Sequence, residues 1–287
     1  MPIPRLPASI AVAVAVAFTA TSAIAQQKPD GIDVGHASYL RKLVPAERLE
    51  KTAAVQFAGL KRDAAAKRAL APDDHPDVIR LRAISKRIIA HAARFNPESA
   101  KWQWEVILIG SNQLNAFCMP GGKIAFYSGI LNTLKLTDDE IAMVMGHEVA
   151  HALREHARER IAKSELTRLG ATVAGALAGS RSIGEAFNLA GGLASLKFSR
   201  DDETEADVVG LDLAARAGYD PRAGITLWQK MSAAAKNAPP QWLSTHPSGK
   251  NRIDEIKKQL PKVMPLYEKA RLAAADAPVA APPKAPR

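Results

Sequence analysis

The chain has 287 residues, of which 47 % are hydrophobic and only 5 % aromatic, and its formal net charge is +10. This length can bury a sizeable core without a disulfide framework, and a single cysteine, Cys118, excludes an internal disulfide and any multi-cysteine zinc site. A thiol protease built on Cys118 is less favoured than a small buried hydrophobe at that position. The lysines and arginines are scattered rather than clustered, which argues against nucleic-acid binding and favours solubility or weak attraction to a membrane surface.

Residues 1–25 have the pattern of a cleavable signal peptide. Arg5 gives a positively charged start, and an unbroken apolar run follows over Ile10–Phe18. Ala23-Ile24-Ala25 then forms a small-x-small cleavage site before Gln26. The alternative is a membrane anchor, but the apolar run is short for a span and no charged stop-transfer flank follows it. We therefore expect export to the periplasm and a soluble mature chain.

The segments that follow predict a helical arm, a further helix and a pair of strands. Ala- and Lys-rich sequence with helical spacing over 37–70 predicts a helical arm, to which we assign residues 26–75. The apolar repeat of Asp77–Phe95 predicts an amphipathic helix. β-Branched and aromatic residues predict a strand over Trp102–Ile109. Lys123–Tyr127, after a Pro-Gly-Gly turn, is predicted to pair with that strand as a hairpin.

The second half of the chain predicts mainly helices. A capping box at Thr137 and Glu140 opens a helix that should run from Asp138 to near Ile161. Two short Gly/Ala-rich stretches are too short to cross a bilayer and should form packed or lid-forming helices. These stretches are Leu169–Gly179 and Ala186–Leu196. Later helices are predicted over Ser199–Gly218, Pro221–Lys236 and Lys250–Leu260, and a disordered Ala/Pro-rich tail over 273–287.

An HExxH pattern, His147-Glu148-Val149-Ala150-His151, lies inside the helix that the capping box opens. Residues four apart share one helix face, so His147 and His151 can bind one metal ion. Glu148 is one residue off that line and can serve as the general base for a metal-activated water. The alternative is a solvated helix with these letters by chance, but the apolar residues of 141–145 argue for a core-facing position.

A catalytic zinc needs a third protein ligand and one open position. Glu203 and Asp207 lie four apart on the next long predicted helix, so Glu203 can bind the metal while Asp207 accepts a hydrogen bond from a metal-bound histidine. The alternative is an acidic first turn that complements the helix dipole, and Glu205 is the second candidate for the ligand. His156, five residues beyond His151, is predicted to lie on the surface.

Four sequence blocks resemble the HtpX-like and CAAX-prenyl-protease-like family of zinc metallopeptidases, in particular its exported bacterial members. The blocks, in chain order, lie at 115–131, 146–151, 200–207 and 245–253. This resemblance implies Glu203 as the third ligand, a protein-degrading activity and a fold of mixed helices around a small sheet. Integral-membrane members have spanning helices and some envelope members have C-terminal helical repeats, and we carry over neither feature.

The expected fold is α+β and mainly helical, a zincin-type metallopeptidase with its active-site helix packed on a small antiparallel sheet. The expected domains are a signal peptide at 1–25, an N-terminal helical arm at 26–75, a zinc metallopeptidase domain at 76–262, and a C-terminal helix remnant with a disordered tail at 263–287.

With the resemblance, three further residues receive roles. His246, otherwise a core histidine before a proline turn, is expected at the cleft as a catalytic group, where it donates to a developing oxyanion or takes the open position of the zinc. Arg252 is expected beside the ligands, where it orients the same loop or contacts a substrate carbonyl. Asn115 and the neighbouring strand are expected to bind substrate, which adds to the sheet edge as an extended strand.

The sequence as a whole predicts a periplasmic metalloendopeptidase with one Zn²⁺ per chain that hydrolyses unfolded or misfolded envelope proteins. The predicted partners are polypeptide substrates, with no nucleic acid. One alternative is a binding or chaperone-like envelope protein whose zinc is structural. Another is a latent enzyme gated by His246 and the Gly/Ala-rich helices. Manganese or cobalt could replace zinc, although two imidazoles and a carboxylate suit zinc best.

Overall fold

Helices surround a small three-stranded sheet in this protein, which confirms the α+β, mainly helical class. A computed structural model describes residues 30–177, 192–235, 240–246 and 252–275, without the side chains of 170–177. The helices are α1 (Ala46–Ala66), α2 (Pro76–Ile89), α3 (Ser128–Leu134), α4 (Asp138–Leu153), α5 (His156–Leu177), α6 (Arg200–Arg216), α7 (Ala223–Ala235), α8 (Gln241–Thr245) and α9 (Arg252–Ala275). The strands are β1 (Glu105–Ile109), β2 (Ala116–Met119) and β3 (Lys123–Tyr127).

Several predictions fall on residues outside these ranges. The signal peptide at 1–25 is one of them, and so are most of the second Gly/Ala-rich stretch and the tail beyond Ala275. Within the described part of the chain, no helix combines the length and the apolar character that a membrane crossing requires.

The sheet has the strand order β1-β3-β2. β1 and β3 run parallel, with Glu105 opposite Lys123, whereas β2 and β3 run antiparallel. The predicted hairpin between the first strand and Lys123–Tyr127 is therefore wrong, and the sheet is mixed rather than antiparallel. The Pro-Gly-Gly turn instead joins β2 to β3, and Gly121 and Gly122 adopt the positive φ angles that such a tight reversal requires.

Alternate residues of the strands enter two separate hydrophobic clusters, because successive side chains of a strand point to opposite faces. One cluster joins Val106, Leu108, Ile124 and Phe126 to the buried residues of α2, α4 and α6. The other joins Ile107, Ile109, Phe117 and Ala125 to Leu49, Ala53 and Phe57 of α1. The helix α1, from the predicted arm, thus covers one face of the sheet, while the HExxH helix α4 packs on the other.

The predicted long helix from Asp138 to near Ile161 divides at Arg154. Its start is as predicted, with both hydrogen bonds of the Thr137–Glu140 capping box present. However, α4 ends at Leu153, Glu155 adopts a left-handed φ of 57°, and α5 begins at His156. Left-handed residues that end helices are usually glycine or asparagine, and without either letter the sequence carried no stop signal.

The last helix is longer than the predicted span of Lys250–Leu260. The helix α9 continues to Ala275 through Pro261 and Pro265. Each proline removes one backbone donor and disfavours a helix locally, so the sequence favoured an end before Pro261. Val263 and Leu266, which are buried in the main cluster, offset that cost by packing.

Two glycines allow α4 and α6 to cross in backbone contact. A Cβ atom at Gly146 would lie 2.7 Å from the carbonyl oxygen of Gly210, and a Cβ atom at Gly210 would lie 2.7 Å from the backbone nitrogen of His147. These neighbours are backbone atoms of packed helices and cannot move aside as a flexible side chain would. The crossing therefore sets the distance between the side chains of the two helices.

We predict that Gly210→Ala destabilises the protein by about 1–3 kcal/mol, because the added methyl group overpacks a backbone contact. Urea unfolding measures this change. Gly59→Ala in α1 is the matched control, since its Cβ would meet nothing closer than Arg62 Nη2 at 3.8 Å. Helix propensity alone should leave Gly59→Ala as stable as the original protein or up to about 1 kcal/mol more stable. Equal unfolding midpoints for Gly210→Ala and the original protein would contradict the close crossing.

Candidate metal centre

Four buried side chains converge at the crossing of α4 and α6. They are His147 and His151 of α4, Glu203 of α6, and His246 just after α8, and one ligand atom from each lies within 4.8 Å of the other three. The structure thus brings the three predicted metal ligands together and adds His246 as a fourth donor. One pair of residues on α4, one residue of α6 and the residue after α8 supply the whole group.

His147 is held on its far side by Asp207. Its Nδ1 atom lies 3.0 Å from Asp207 Oδ1, while its Nε2 atom points to the cluster, 3.5 Å from Glu203 Oε2. Burial raises the pKa of Asp207, but the charge of Arg252 and the hydrogen bond from His147 outweigh burial, and the net pKa is lowered. An ionised Asp207 can only accept hydrogen bonds, so His147 donates through Nδ1 and keeps a lone pair on Nε2.

Arg252, the first residue of α9, binds the carboxylates of Glu203 and Asp207 on α6. Its Nε donates to Asp207 Oδ2 at 2.6 Å and its Nη1 donates to Glu203 Oε2 at 2.7 Å. The guanidinium carbon lies 3.9 Å from the ring centre of Trp228. Burial raises the pKa of Glu203, but its contacts with His151 and His246 and the charge of neighbouring histidines lower it well below its usual value. Arg252 therefore compensates two buried negative charges, and in this structure it contacts the carboxylates rather than the protein surface.

His151 is packed between an aromatic ring and a second histidine. Phe198 stacks on its imidazole with ring centres 4.0 Å apart, and burial holds the pKa of His151 well below its usual value. The Nδ1 atom of His151 lies 2.8 Å from Nδ1 of His156, which is only 1 % exposed. The predicted surface position of His156 is therefore wrong. On one unbroken helix it would point away from His151, but the left-handed turn at Glu155 returns it to the cluster.

Glu205, the second candidate for the third ligand, faces away from the four donors. Its Oε2 atom lies 2.9 Å from Nε2 of His156 and its Oε1 atom accepts from Nε of Arg154 at 2.6 Å. Three of the acidic residues on α6 thus have different neighbours. Glu203 faces the donors, Asp207 faces His147, and Glu205 faces His156.

Glu148 is buried next to the donors but does not belong to their group. Its Oε1 atom accepts a hydrogen bond of 2.5 Å from the indole of Trp242 and lies 3.6 Å from His246 Nε2. The indole also stacks on the His246 ring at 4.8 Å between centres. Trp242 therefore fixes one oxygen of the Glu148 carboxylate, and the sequence analysis gave it no role.

His246 has contacts with the ligands as well as with Glu148. Its Nδ1 atom lies 3.2 Å from His147 Nε2 and 3.0 Å from Glu203 Oε1. Burial lowers the pKa of His246, but the charges of Glu148 and Glu203 outweigh it and the net pKa is raised. Of the two roles expected for His246, this position corresponds to the one that occupies the fourth place around a metal.

The donor set is suited to a cation. The Nε2 atoms of His147 and His151 lie 3.0 Å apart. If the imidazoles are neutral, His147 donates its Nδ1 proton to Asp207. His156 donates its Nε2 proton to Glu205, so its Nδ1 atom accepts the proton that His151 carries on Nδ1. Two lone pairs then face each other beside a carboxylate, and a metal ion satisfies all of them. Imidazole and carboxylate ligands in this number are typical of zinc.

Asn115 lies at the edge of the sheet rather than at the cluster. It immediately precedes β2, and its side-chain oxygen accepts a hydrogen bond from the backbone of Ala116. Its neighbour Leu114 accepts a hydrogen bond of 3.1 Å from the backbone of Trp242, so the start of β2 contacts the short helix that bears His246. The expected substrate-binding role of Asn115 stays a prediction.

Sequence reasoning missed His156, Phe198 and Trp242. Trp242 lies four residues before His246, which is the spacing of one helix face, and Phe198 immediately precedes the N-cap of α6, Ser199. Those two signals could have placed both aromatic residues near the ligands. No comparable signal was present for His156, because its position depends on a left-handed turn without glycine.

Comparison with known proteins agrees with this geometry. The model of Peptidase family M48 matches residues 79–260. "Mitochondrial metalloendopeptidase OMA1" of Arabidopsis thaliana is 41 % identical over 164 residues, which are 57 % of this chain and 32 % of that protein. The protein of the same name from Schizosaccharomyces pombe is 38 % identical over 196 residues, covering 67 % of this chain and 55 % of its own length. "Beta-barrel assembly-enhancing protease" of Escherichia coli is 27 % identical over 199 residues, covering 65 % and 39 %.

The chain therefore spans between 32 % and 55 % of the length of these three relatives. The stretch matched by the family model runs from α2 into α9 and contains the HExxH pair, the carboxylates of α6 and the arginine that binds them. The resemblance seen in the sequence is confirmed, and the chain belongs to peptidase family M48.

Proposed function

We propose that this chain is a zinc metalloendopeptidase that hydrolyses peptide bonds in unfolded polypeptides. The observation that carries the proposal is the convergence of His147, His151, Glu203 and His246, with the carboxylate of Glu148 3.6 Å from His246. A site that only binds metal needs ligands, whereas hydrolysis also needs a base. Glu148 is buried, is oriented by Trp242, and is not one of the grouped donors, which suits it for that second task.

Each residue of the site would have a separate role in peptide-bond hydrolysis. His147, His151 and Glu203 would hold zinc, which supplies a Lewis acid that activates water and polarises a carbonyl group. Glu148 accepts the proton of the attacking water and returns it to the leaving amine, as a general base and then a general acid. Trp242 keeps one oxygen of Glu148 in place, and Arg252 with Asp207 keeps the ligands of both helices oriented.

The sheet edge supports an extended substrate. β2 is one of the two edge strands of the described sheet, and its Cys118 lines a pocket together with His151 and Phe198. A peptide added beside β2 would be held by backbone hydrogen bonds with little sequence preference. Such binding selects extended segments, which folded proteins seldom expose.

The place of action that we propose is the periplasm, with misfolded envelope proteins as substrates. The support is the signal-peptide pattern of residues 1–25 and the similarity to an E. coli protein named for enhancing β-barrel assembly. The basic surface is consistent with peripheral contact to anionic lipid.

A second function is favoured by one observation, the presence of His246 as a fourth donor. Structural zinc is usually closed by four protein ligands, whereas catalytic zinc keeps an open position. If His246 binds the metal permanently, the zinc is structural and Glu148 has no task. If His246 leaves, the same residue acts as a gate on a peptidase. Casein cleavage and zinc affinity of His246→Ala separate these cases.

The first prediction concerns the metal. The purified protein should hold one zinc ion per chain, and Glu203→Gln, which keeps the side-chain volume but removes the charged donor, should weaken zinc binding by more than about 100-fold. Competition with a chromophoric chelator measures the affinity. Glu98→Gln is the matched control, because Glu98 is exposed and its carboxylate pairs, within the described part of the chain, with Lys101 in its own turn. Protein without stoichiometric metal, or full affinity in Glu203→Gln, would contradict the proposal.

The second prediction concerns the base. Glu148→Gln should lower the rate of casein cleavage by about 10²–10⁴-fold while zinc stays bound, because glutamine can still accept from Trp242 but cannot take a proton. Cleavage is followed by release of labelled peptides, and metal content by elemental analysis. Unchanged cleavage in the zinc-loaded variant would exclude this mechanism.

The same cleavage assay separates extended from folded substrates. One disulfide-bonded protein, compared in its native and its reduced, alkylated form, should be cut much faster when unfolded, because only the unfolded chain can add to the edge of β2. Equal rates for both forms would remove the proposed preference.

The third prediction concerns His246. If it gates the site and the open form is populated to about 10 % or less, His246→Ala should raise casein cleavage at least about tenfold. Zinc affinity measured in parallel distinguishes a gate from a permanent ligand. Loss of zinc with loss of folding would instead support the structural site, and slower cleavage with zinc retained would support donation to an oxyanion.

A further inference from the structure

The far side of His151 has a support of its own that the peptidase mechanism does not use. His151 Nε2 faces the other donors, 3.4 Å from Glu203 Oε1, and its Nδ1 atom faces His156 Nδ1 at 2.8 Å. On the far side of His156, Nε2 lies 2.9 Å from Glu205 Oε2. Three side chains thus form one continuous line of hydrogen bonds that ends at a carboxylate.

One arrangement of protons satisfies this line when His151 binds a metal. A metal on His151 Nε2 leaves the proton of that ring on Nδ1, so His156 must accept at Nδ1. A neutral His156 then carries its own proton on Nε2, directly opposite the carboxylate of Glu205. Every donor has one acceptor, and the reverse arrangement would place a proton on the nitrogen of His151 that faces the metal.

We propose that His156 and Glu205 are positioning residues that hold His151 in the orientation and tautomer that binds metal. The inference rests on the proposed function only in requiring that a metal binds at this cluster. Among the four grouped donors, His156 contacts His151, and Glu205 is linked to His151 through His156. Neither residue is therefore a ligand or a catalytic group.

Arg154 anchors the outer end of the line. Its Nε donates to Glu205 Oε1 at 2.6 Å, and its Nη2 donates to the carbonyl of Gly35 at 3.1 Å. The carboxylate of Glu205 is therefore fixed from both sides and cannot rotate away from His156 without losing two contacts. Arg154 as a residue is 6 % exposed, which limits competition by water.

The two imidazoles of the HExxH pair are thus supported in parallel ways. His147 donates directly to Asp207, which Arg252 holds, and His151 reaches Glu205 through one additional imidazole, with Arg154 as the anchor. Both carboxylates come from α6, so the helix that provides Glu203 also orients both histidines. The left-handed turn at Glu155 is what brings the additional imidazole within reach.

The competing explanation is that His156 is only a packed residue at the start of α5. Packing depends on volume, whereas positioning depends on an acceptor for His151 and a donor for Glu205. Substitutions that keep the volume but change those groups therefore separate the two explanations.

The experiment compares His156→Leu, His156→Gln and Glu205→Gln in the full chain. Zinc affinity is measured by chelator competition, the ligand field by the visible spectrum of the cobalt-substituted protein, and folding by the Tm of the metal-free protein. Lys163→Gln, on the exposed side of the same helix, is the control. We expect His156→Leu to weaken zinc binding by about 10–100-fold with an altered cobalt spectrum. Glutamine at 156 can accept and donate and should restore part of the affinity, and Glu205→Gln should show a smaller loss.

The proposal is overturned if His156→Leu and Glu205→Gln bind zinc as tightly as Lys163→Gln, or if His156→Gln and His156→Leu lose affinity equally. If His156→Leu does not fold, the test rests on His156→Gln and Glu205→Gln. The proposal is then overturned if both variants keep the zinc affinity and the cobalt spectrum of the unsubstituted protein. Failure of the proposed peptidase is seen separately, as zinc-loaded original protein that does not cleave casein.

Discussion

The close crossing of α4 and α6 is the constraint on which the site depends. His147 and His151 lie on one helix and Glu203 on the other, so a shared metal requires the two backbones to approach until these short side chains meet. Gly146 and Gly210 make this approach feasible, because neither helix carries a Cβ atom at the contact. The side chains that perform chemistry are therefore positioned by two residues that have no side chain.

Bringing those helices together buries the carboxylates of Glu203 and Asp207 and partly buries that of Glu205, and each of the three is paired with an arginine. Arg252 binds Glu203 and Asp207, and Arg154 binds Glu205. Removing one partner of a buried ion pair typically costs about 3–5 kcal/mol, since the remaining charge is left without compensation. The two arginines come from distant parts of the chain, one directly after α4 and one at the start of α9. The ligand geometry and the fold are therefore coupled through the same contacts.

His246, the fourth of the grouped donors, is supported differently from the other three. His246 follows the short helix α8, whose start donates from Trp242 to the carbonyl of Leu114 and whose end accepts from the backbone of Phe198 at Thr245. The two attachment points are Leu114, shortly before β2, and Phe198, which precedes the N-cap of α6. A side chain carried on so short a helix is easier to displace than one on α4 or α6, because fewer contacts must break. This difference in support agrees with His246 as the exchangeable member of the donor set.

The sequence by itself determined the parts of the site that are local. His147 with His151 and Glu203 with Asp207 are pairs four residues apart, and the capping box at Thr137 sets the start of α4, so helical periodicity alone places them. The resemblance to a family then pointed to His246 and Arg252. Tertiary structure decided what joins distant segments. The Pro-Gly-Gly turn was visible, but β2, the strand directly before it, has only four residues and was not recognised. The parallel pairing of β1 with β3 joins segments that no tight turn connects, so only the tertiary structure decided it. His156 faces His151 only because Glu155 adopts a left-handed conformation that its residue type does not favour, and Phe198 and Trp242 contact the ligands only once α4, α6 and α8 have packed together.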